Sequence, residues 1–150
     1  MRVIAKTSKD CMENFDELLG LIGANWVESK IPIEMSAEDT RLTYQHLANS
    51  GVLFLVVVYD DKTPIGYCAT TILPHMLNHS VKTVNASGLY VLPKYRKGRA
   101  LALIMREVAS FARHHDAHSI VWHAPANSEF EKALDLRFKK LNSYYMEAIL

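Results

Sequence analysis

The stretch NASGLYVLPKYRKGRALALIMREVASFARH, residues 85–114, predicts a strand, a tight turn and a long helix. Apolar Leu89 and Val91 are typical of a buried strand end. Pro93 prevents further strand pairing, Gly98 allows a tight turn, and good helix formers follow. The sequence therefore predicts a strand, turn and helix unit around which the fold is organised.

The turn in this unit is strongly basic, because four cations surround its glycine: Lys94, Arg96, Lys97 and Arg99. Each cation near a helix amino terminus opposes the helix dipole at a cost of about 0.3–1 kcal/mol. No acidic residue occurs at positions 62–106. A local conflict of this kind often marks a functional site. Exposed amides and four cations around a glycine turn predict a site for a phosphate or pyrophosphate group.

These residues resemble the acetyl-CoA signature of the GCN5-related N-acetyltransferases (GNAT family), in which a V-x-P-x-Y-R strand end leads into a Q/R-x-x-G-x-G/A turn. The matching residues are Val91, Pro93, Tyr95, Arg96, Gly98 and Ala100. Aligned from Tyr95, the turn has a tyrosine in place of the leading Gln or Arg. Aligned from Arg96, it has Arg99 and Leu101 at the two small positions. The turn therefore resembles a compressed variant of the family loop.

The resemblance implies acetyl-CoA as co-substrate and no metal. In the family, backbone groups of the strand end hold the thioester and turn amides hold the pyrophosphate. An amide near Val91 would polarise the acetyl carbonyl as an oxyanion hole does, and an asparagine after the next strand contacts the pantetheine. The implied donor-binding residues are Leu89, Tyr90, Val91, Arg96, Lys97, Gly98, Arg99, Ala100, Leu101 and Asn127.

The composition is that of a globular protein, with 150 residues, 49% hydrophobic and 22% charged. We expect one domain over residues 1–150. A net charge of +1 gives no electrostatic support for general nucleic-acid binding. Two cysteines and the absence of a recognisable signal peptide predict a cytoplasmic location. No apolar run approaches the roughly 20 residues of a membrane span.

The predicted element order is β-α-α-β-β-β-α-β-α-β-β, an α/β (mixed α+β) fold. We expect a GNAT-like central sheet of about six to seven strands with helices on both faces. The apolar run Val52 to Tyr59 predicts a central strand. The first helix is predicted from Cys11 to Asn25, a loop from Pro74 to Ser80, and two strand pieces from Phe138 to Leu150.

The general base is an open question in the sequence. Many family members carry a glutamate on the strand before the turn, but residues 84–88 contain no carboxylate. A histidine titrates near pH 6.5 and suits proton transfer at neutral pH. The candidates are His75 and His79 in the predicted loop, Glu28 and Glu34 between the first two helices, and Ser87 or Asn85 ordering a water chain.

The general acid is also open. The family tyrosine, roughly seven residues beyond Asn127, would fall at Ala133 or Leu134, which cannot donate a proton. Either Tyr144 or Tyr145 replaces it, or the thiolate leaves unaided, since a thiol pKa is about 8.5. Four histidines lie close in sequence, but we predict no metal site, because zinc requires three or four converging ligands; they are His114, His115, His118 and His123.

The predicted function is transfer of an acetyl group from acetyl-CoA to a primary amine, directly and in a ternary complex. Trp26, Glu28 and Glu34 would attract a cationic acceptor, either a small molecule or a protein lysine. Two alternatives are a non-catalytic acyl-CoA-binding or regulatory module, and an effector that acetylates a protein or other macromolecule. A homodimer through residues 144–150 is a further expectation, and no membrane partner is expected.

Overall fold

The computed structural model describes residues 1–141 and residue 147. In chain order the elements are β1 (Arg2–Thr7), α1 (Asp16–Glu28), α2 (Ala37–Asn49), β2 (Leu53–Asp60), β3 (Thr63–His75), β4 (Asn78–Val91), α3 (Ala100–His114), β5 (Ser119–Trp122) and α4 (Glu129–Asp135). A short 3-10 turn, Pro93–Tyr95, joins β4 to α3. Within the described part of the chain, no helix is long and apolar enough to cross a membrane.

The sheet has the strand order β1-β2-β3-β4-β5. Neighbouring strands are antiparallel except for the pair β4 and β5, which is parallel. Residues 53–59 of β2 are all buried, which explains the unbroken apolar run in the sequence. Helices α1 and α2 pack on one face of the sheet and α3 packs on the other. The predicted fold class, a mixed sheet with helices on both faces, is confirmed.

The first helix begins at Asp16 and not at Cys11. The preceding residues form turns, in which Asp10 N–H donates to Thr7 C=O at 2.9 Å and Asn14 adopts a φ of 56°. Cys11 is fully buried within this turn, and its thiol donates to the carbonyl of Lys6. Cys11 therefore anchors a turn that precedes the helix and is not part of its first turn.

The loop predicted from Pro74 to Ser80 is wrong, because β3 and β4 continue through it as a long hairpin and turn only at residues 76 and 77. Pro74 lies opposite Lys82. Lys82 C=O accepts from His118 N–H and so points away from β3. Pro74 and Lys82 are therefore a non-hydrogen-bonded pair, in which a proline costs no ladder bond.

The described residues contain five strands, fewer than the predicted six to seven. The two additional strand pieces were predicted between Phe138 and Leu150. Residues 138–141 are not in a strand, and residues 142–146 and 148–150 lie outside the described residues.

Candidate active site

A bulge interrupts β4 near its middle. Ala69 pairs with Gly88 and Thr70 pairs with Ala86, so that Ser87 is an extra residue on β4. Ser87 is exposed. Bulges bend a strand and redirect its side chains, and they are frequent beside active sites.

The strands β4 and β5 separate directly after this bulge. Their pairing runs from Thr83 with Ser119 to Ala86 with Trp122, and His123 N–H then donates to Ala86 C=O at 3.3 Å. Strand β4 continues to Val91, whereas β5 has ended. The last part of β4 is thus paired with β3 on one side and leaves β5 on the other.

The backbone of β4 beyond the bulge points alternately toward β3 and away from it, as in any antiparallel pair. Leu92 N–H donates to Ile65 C=O at 2.9 Å. The polar groups of Leu89 and Val91 therefore point away from β3, toward the side that β5 has left. We call the N–H and C=O groups of these two residues the terminal edge of β4.

The start of α3 lies at the end of this edge and has no side-chain cap. Its N-cap residue, Arg99, has helical backbone angles, and the first turn contains no acidic residue. The bond from Leu103 N–H to Arg99 C=O opens the helix, at 3.0 Å. The earlier amides, including those of Ala100 and Leu101, have no acceptor within the helix. Buried Ala100 and Ile104 anchor this helix end against the sheet.

The basic turn, residues 93–99, connects the terminal edge to α3. Tyr95 O–H donates to Asp60 Oδ2 at 2.8 Å, which fixes the turn to the end of β2. A Cβ atom on Gly98 would lie 3.4 Å from the carbonyl oxygen of Tyr95 and 3.6 Å from Cε of Met1. These are ordinary contacts, so the backbone does not demand glycine at this position.

All four cations in the turn are exposed, namely Lys94, Arg96, Lys97 and Arg99. Arg96 is held by two bonds. Its Nε donates to the carbonyl oxygen of Val91 at 2.8 Å, and its Nη2 donates to Glu28 Oε2 at 2.6 Å. The guanidinium also lies 5.3 Å from the ring centroid of Tyr90. The hydrogen bond from Arg96 lowers the pKa of Glu28 below its usual value.

The three residues predicted to bind the acceptor have different surroundings in the structure. Glu28, the last residue of α1, reaches the end of β4 through Arg96. The indole Nε1 of Trp26 donates to the carbonyl of Ile33 at 2.6 Å, so that Trp26 closes the loop between α1 and α2. Glu34 is exposed on the same loop.

The structure does not bring His75 and His79 to the terminal edge. Both are exposed at the tip of the hairpin of β3 and β4, where Leu77 N–H donates to His75 Nδ1 at 3.1 Å. Val91 follows His79 by twelve positions of one strand, which corresponds to roughly 40 Å at the rise of a β-strand. The long hairpin carries these histidines away from the site, and a role as general base has no geometric support.

The remaining predicted positions lie around β5 and α4. Asn127 is in the loop after β5 with a φ of 62°, and its N–H donates to Glu131 Oε1 at 3.2 Å. Ala133 and Leu134 lie on α4, and Tyr144 and Tyr145 are outside the described residues. Among the described residues, no three His, Cys, Asp or Glu side chains converge as metal ligands.

Two features of the site were missed by the sequence reasoning. The bulge had a signal, since Gly88 interrupts a strand pattern directly after a polar residue. The ion pair between Arg96 and Glu28 had none, because 68 positions separate the two residues.

Comparison with known proteins agrees with this geometry. The family model described as the acetyltransferase (GNAT) family matches residues 15–135. No curated protein matches the chain.

Solved acetyltransferases share the fold at low sequence identity. A predicted acetyltransferase from Clostridium acetobutylicum, solved with acetyl-CoA, has a TM-score of 0.76 and 11% identity, over 98% of this chain and 95% of that one. A ribosomal-protein-alanine N-acetyltransferase from Brucella melitensis biovar Abortus 2308 has 0.69 and 14%, over 99% and 100%. An aminoglycoside acetyltransferase from an uncultured soil metagenomic sample, in complex with sisomicin, has 0.73 and 11%, over 99% and 96%.

The family match covers most of the chain and includes β4, the basic turn and α3. The terminal edge of β4 and the uncapped start of α3 fit the positions that the resemblance assigns to the thioester and the pyrophosphate. The chain therefore belongs to the acetyltransferase (GNAT) family and is an N-acetyltransferase that uses acetyl-CoA as its donor.

Proposed function

We propose that this enzyme transfers the acetyl group directly to a primary amine, with donor and acceptor bound together. The observation that carries the proposal is the terminal edge of β4. Its backbone groups at Leu89 and Val91 point to the side that β5 has left. A donor lying along this edge would reach the basic turn with its phosphate end.

The donor supplies a reactive thioester and a thiol leaving group. The chain supplies hydrogen-bond donors where negative charge develops, since amides of Leu89 and Val91 would polarise the acetyl carbonyl. Amides at the start of α3 and the exposed side chains of Lys97 and Arg99 would bind the pyrophosphate. Asn127, in the loop after β5, would contact the pantetheine from the opposite side of the gap.

Proton handling falls to the bulge in this proposal. A lysine-like amine has a pKa near 10.4 and must lose a proton before attack. Ser87 is exposed at the bulge, and its hydroxyl would order the water that accepts this proton. The thiolate leaves without a protein acid, because its conjugate thiol has a pKa of about 8.5.

The acceptor is a small molecule or protein that presents a primary amine. Glu28 and Glu34 place carboxylates near the end of α1 and would favour a cationic acceptor. Fold neighbours include enzymes named for aminoglycosides and for a ribosomal protein, so both acceptor classes belong in the first screen. We also propose a cytoplasmic location. A homodimer through residues 144–150 is a further part of the proposal, and light scattering would test it.

Donor binding is tested by calorimetry with acetyl-CoA on wild type, Gly98→Glu and Gly98→Ala. The wild type is expected to bind, and Gly98→Glu to bind at least about tenfold more weakly, because it adds bulk and negative charge where a phosphate lies. Gly98→Ala is the matched control, since a Cβ atom meets only ordinary contacts there. Equal affinity of Gly98→Glu and wild type would remove the turn from the donor site.

Turnover is tested by thiol release with a panel of amines and lysine peptides. Amine-dependent release supports the transferase. Donor binding without transfer to any amine in the panel would favour the acyl-CoA-binding module, for which the absence of a carboxylate at residues 84–88 is the motivating observation.

A further inference from the structure

Arg96 belongs to the basic turn, but its side chain is turned away from the start of α3. Both of its bonds lead elsewhere, one to the Val91 carbonyl and one to the carboxylate of Glu28. It therefore bridges the terminal edge of β4 to the end of α1. The interactions with Glu28 raise the pKa of Arg96.

The carbonyl that Arg96 occupies is one of the terminal-edge groups that face away from β3. A ligand that pairs with this edge as an added strand needs the same carbonyl as an acceptor for its own amide N–H. Arg96 and the pantetheine amide thus compete for Val91. The phosphates and the adenine of the donor lie outside the proposed thioester and pantetheine site, so they do not compete for the Val91 carbonyl.

We propose that Arg96 and Glu28 form a latch over the terminal edge of β4. A pantetheine amide opens this latch by replacing Arg96 as the hydrogen-bond donor to the Val91 carbonyl. The latch rests on the proposed donor site. Opening it separates the guanidinium from Glu28. The Glu28 carboxylate, which also interacts with the Tyr90 hydroxyl, then has no cationic partner at the end of α1, where it attracts the ammonium group of an acceptor. Donor binding in this scheme therefore prepares the acceptor side.

The strength of the latch depends on how far its two side chains are exposed to solvent. The Arg96 and Glu28 side chains are 36% and 46% exposed, so that solvent screens their ion pair and its contribution is modest. A weak latch is one that a ligand amide can open. Removing the charge on Glu28 should therefore tighten binding of a pantetheine-containing ligand by about two- to fivefold.

The test compares CoA with 3′-phospho-ADP, which keeps the phosphates and lacks pantetheine. Calorimetry is performed on wild type, Glu28→Gln, Arg96→Lys and Glu38→Gln. Glu38 is an exposed carboxylate in the first turn of α2 and controls for the general effect of removing a negative charge. Arg96→Lys keeps the charge but loses the planar fork that spans both partners.

We expect Glu28→Gln and Arg96→Lys to bind CoA more tightly than wild type, with unchanged affinity for 3′-phospho-ADP and no change in Glu38→Gln. An equal gain for both ligands would show a general charge effect and overturn the latch. Unchanged CoA affinity in Glu28→Gln would also overturn it, while donor binding by the wild type left the proposed function standing. Absence of CoA binding by the wild type would overturn the proposed function and the latch together.

Discussion

The two faces of the sheet differ in the side chains that cover them. The face under α3 is packed mainly with aliphatic side chains, namely Val56, Val58, Ile65, Val84, Val91, Ile104 and Val108. The face under α1 and α2 contains tyrosines that bind the helices through their hydroxyls. Asn25 Nδ2 donates to the hydroxyl oxygen of Tyr67 at 3.0 Å, and Tyr59 O–H donates to Glu17 Oε2 at 2.9 Å.

This difference corresponds to two tasks. On the α3 side, apolar packing fixes a helix end and a strand edge, whose backbone groups form the proposed donor site. On the α1 side, polar side chains meet the end of β4, as Glu28 does through Arg96. Backbone groups present the same chemistry whatever the side chain, whereas a side-chain site depends on each residue. We infer that the donor side tolerates sequence change better than the acceptor side.

The largest expected effect comes from the α3 face. Ile104 is fully buried beneath the helix that carries the proposed phosphate site. Ile104→Ala should lower the free energy of unfolding by about 2–5 kcal/mol, because it removes apolar contacts and leaves a cavity. Urea denaturation measures this loss. Ile104→Val is the matched control, with an expected loss of about 0.5–1.5 kcal/mol, and equal losses in the two variants would contradict tight packing at this position.

The second prediction concerns the polar face at high pH. Burial, the largest cause, raises the pKa of Tyr67 to about 12 from an ordinary value of 10.0. The folded protein keeps this proton longer than the unfolded chain does. The stability it contributes is fully present below about pH 10 and is lost as the pH rises from 10 to 12. The expected loss from Tyr67 is about 3 kcal/mol, since each pKa unit corresponds to about 1.4 kcal/mol.

Tyr67→Phe isolates this contribution, because other buried groups titrate in the same range. Burial raises the pKa of Cys11 to about 11 on the same face and raises that of Cys68 on the α3 face. Urea denaturation of wild type and Tyr67→Phe between pH 9 and 12 gives two slopes. The Tyr67→Phe slope should be the flatter one, and identical slopes would show that the Tyr67 hydroxyl ionises as freely in the folded protein as in the unfolded chain.

Most of the fold was predictable because its strongest patterns are local. The apolar run of β2 predicted a central strand, and its residues 53–59 are buried. The cap of α2 is equally local, since Asp39 N–H donates to Ser36 Oγ, three residues before it, at 3.1 Å. Pro74 and Cys11 misled for a common reason. The local structure at each depends on a partner distant in the chain, which is Lys82 for Pro74 and the carbonyl of Leu53 for Cys11.

The two sides of the proposed site also differ in how well the sequence predicts them. The basic turn and the strand before it are contiguous, so a signature of residues 91–100 located the proposed donor side. The proposed acceptor side is assembled from α1 and the end of β4, and no local pattern predicts that Glu28 meets Arg96. The prediction that His75 or His79 is the general base failed to account for the length of the hairpin. Nothing in residues 74–80 indicates that the hairpin extends so far from Val91.

The smallest expected effect tests whether every polar contact on the α1 and α2 face matters. Arg41 Nη2 donates to Asp16 Oδ1 at 2.6 Å and joins the two helices, but the side chains are 46% and 78% exposed. Water and salt screen such a pair, and two long side chains lose freedom in forming it. Asp16→Asn should therefore change the free energy of unfolding by less than about 0.5 kcal/mol, measured by urea denaturation at low and high salt. A loss above about 1 kcal/mol that disappears in high salt would mean that this face depends on its surface charges as well as on its buried hydroxyls.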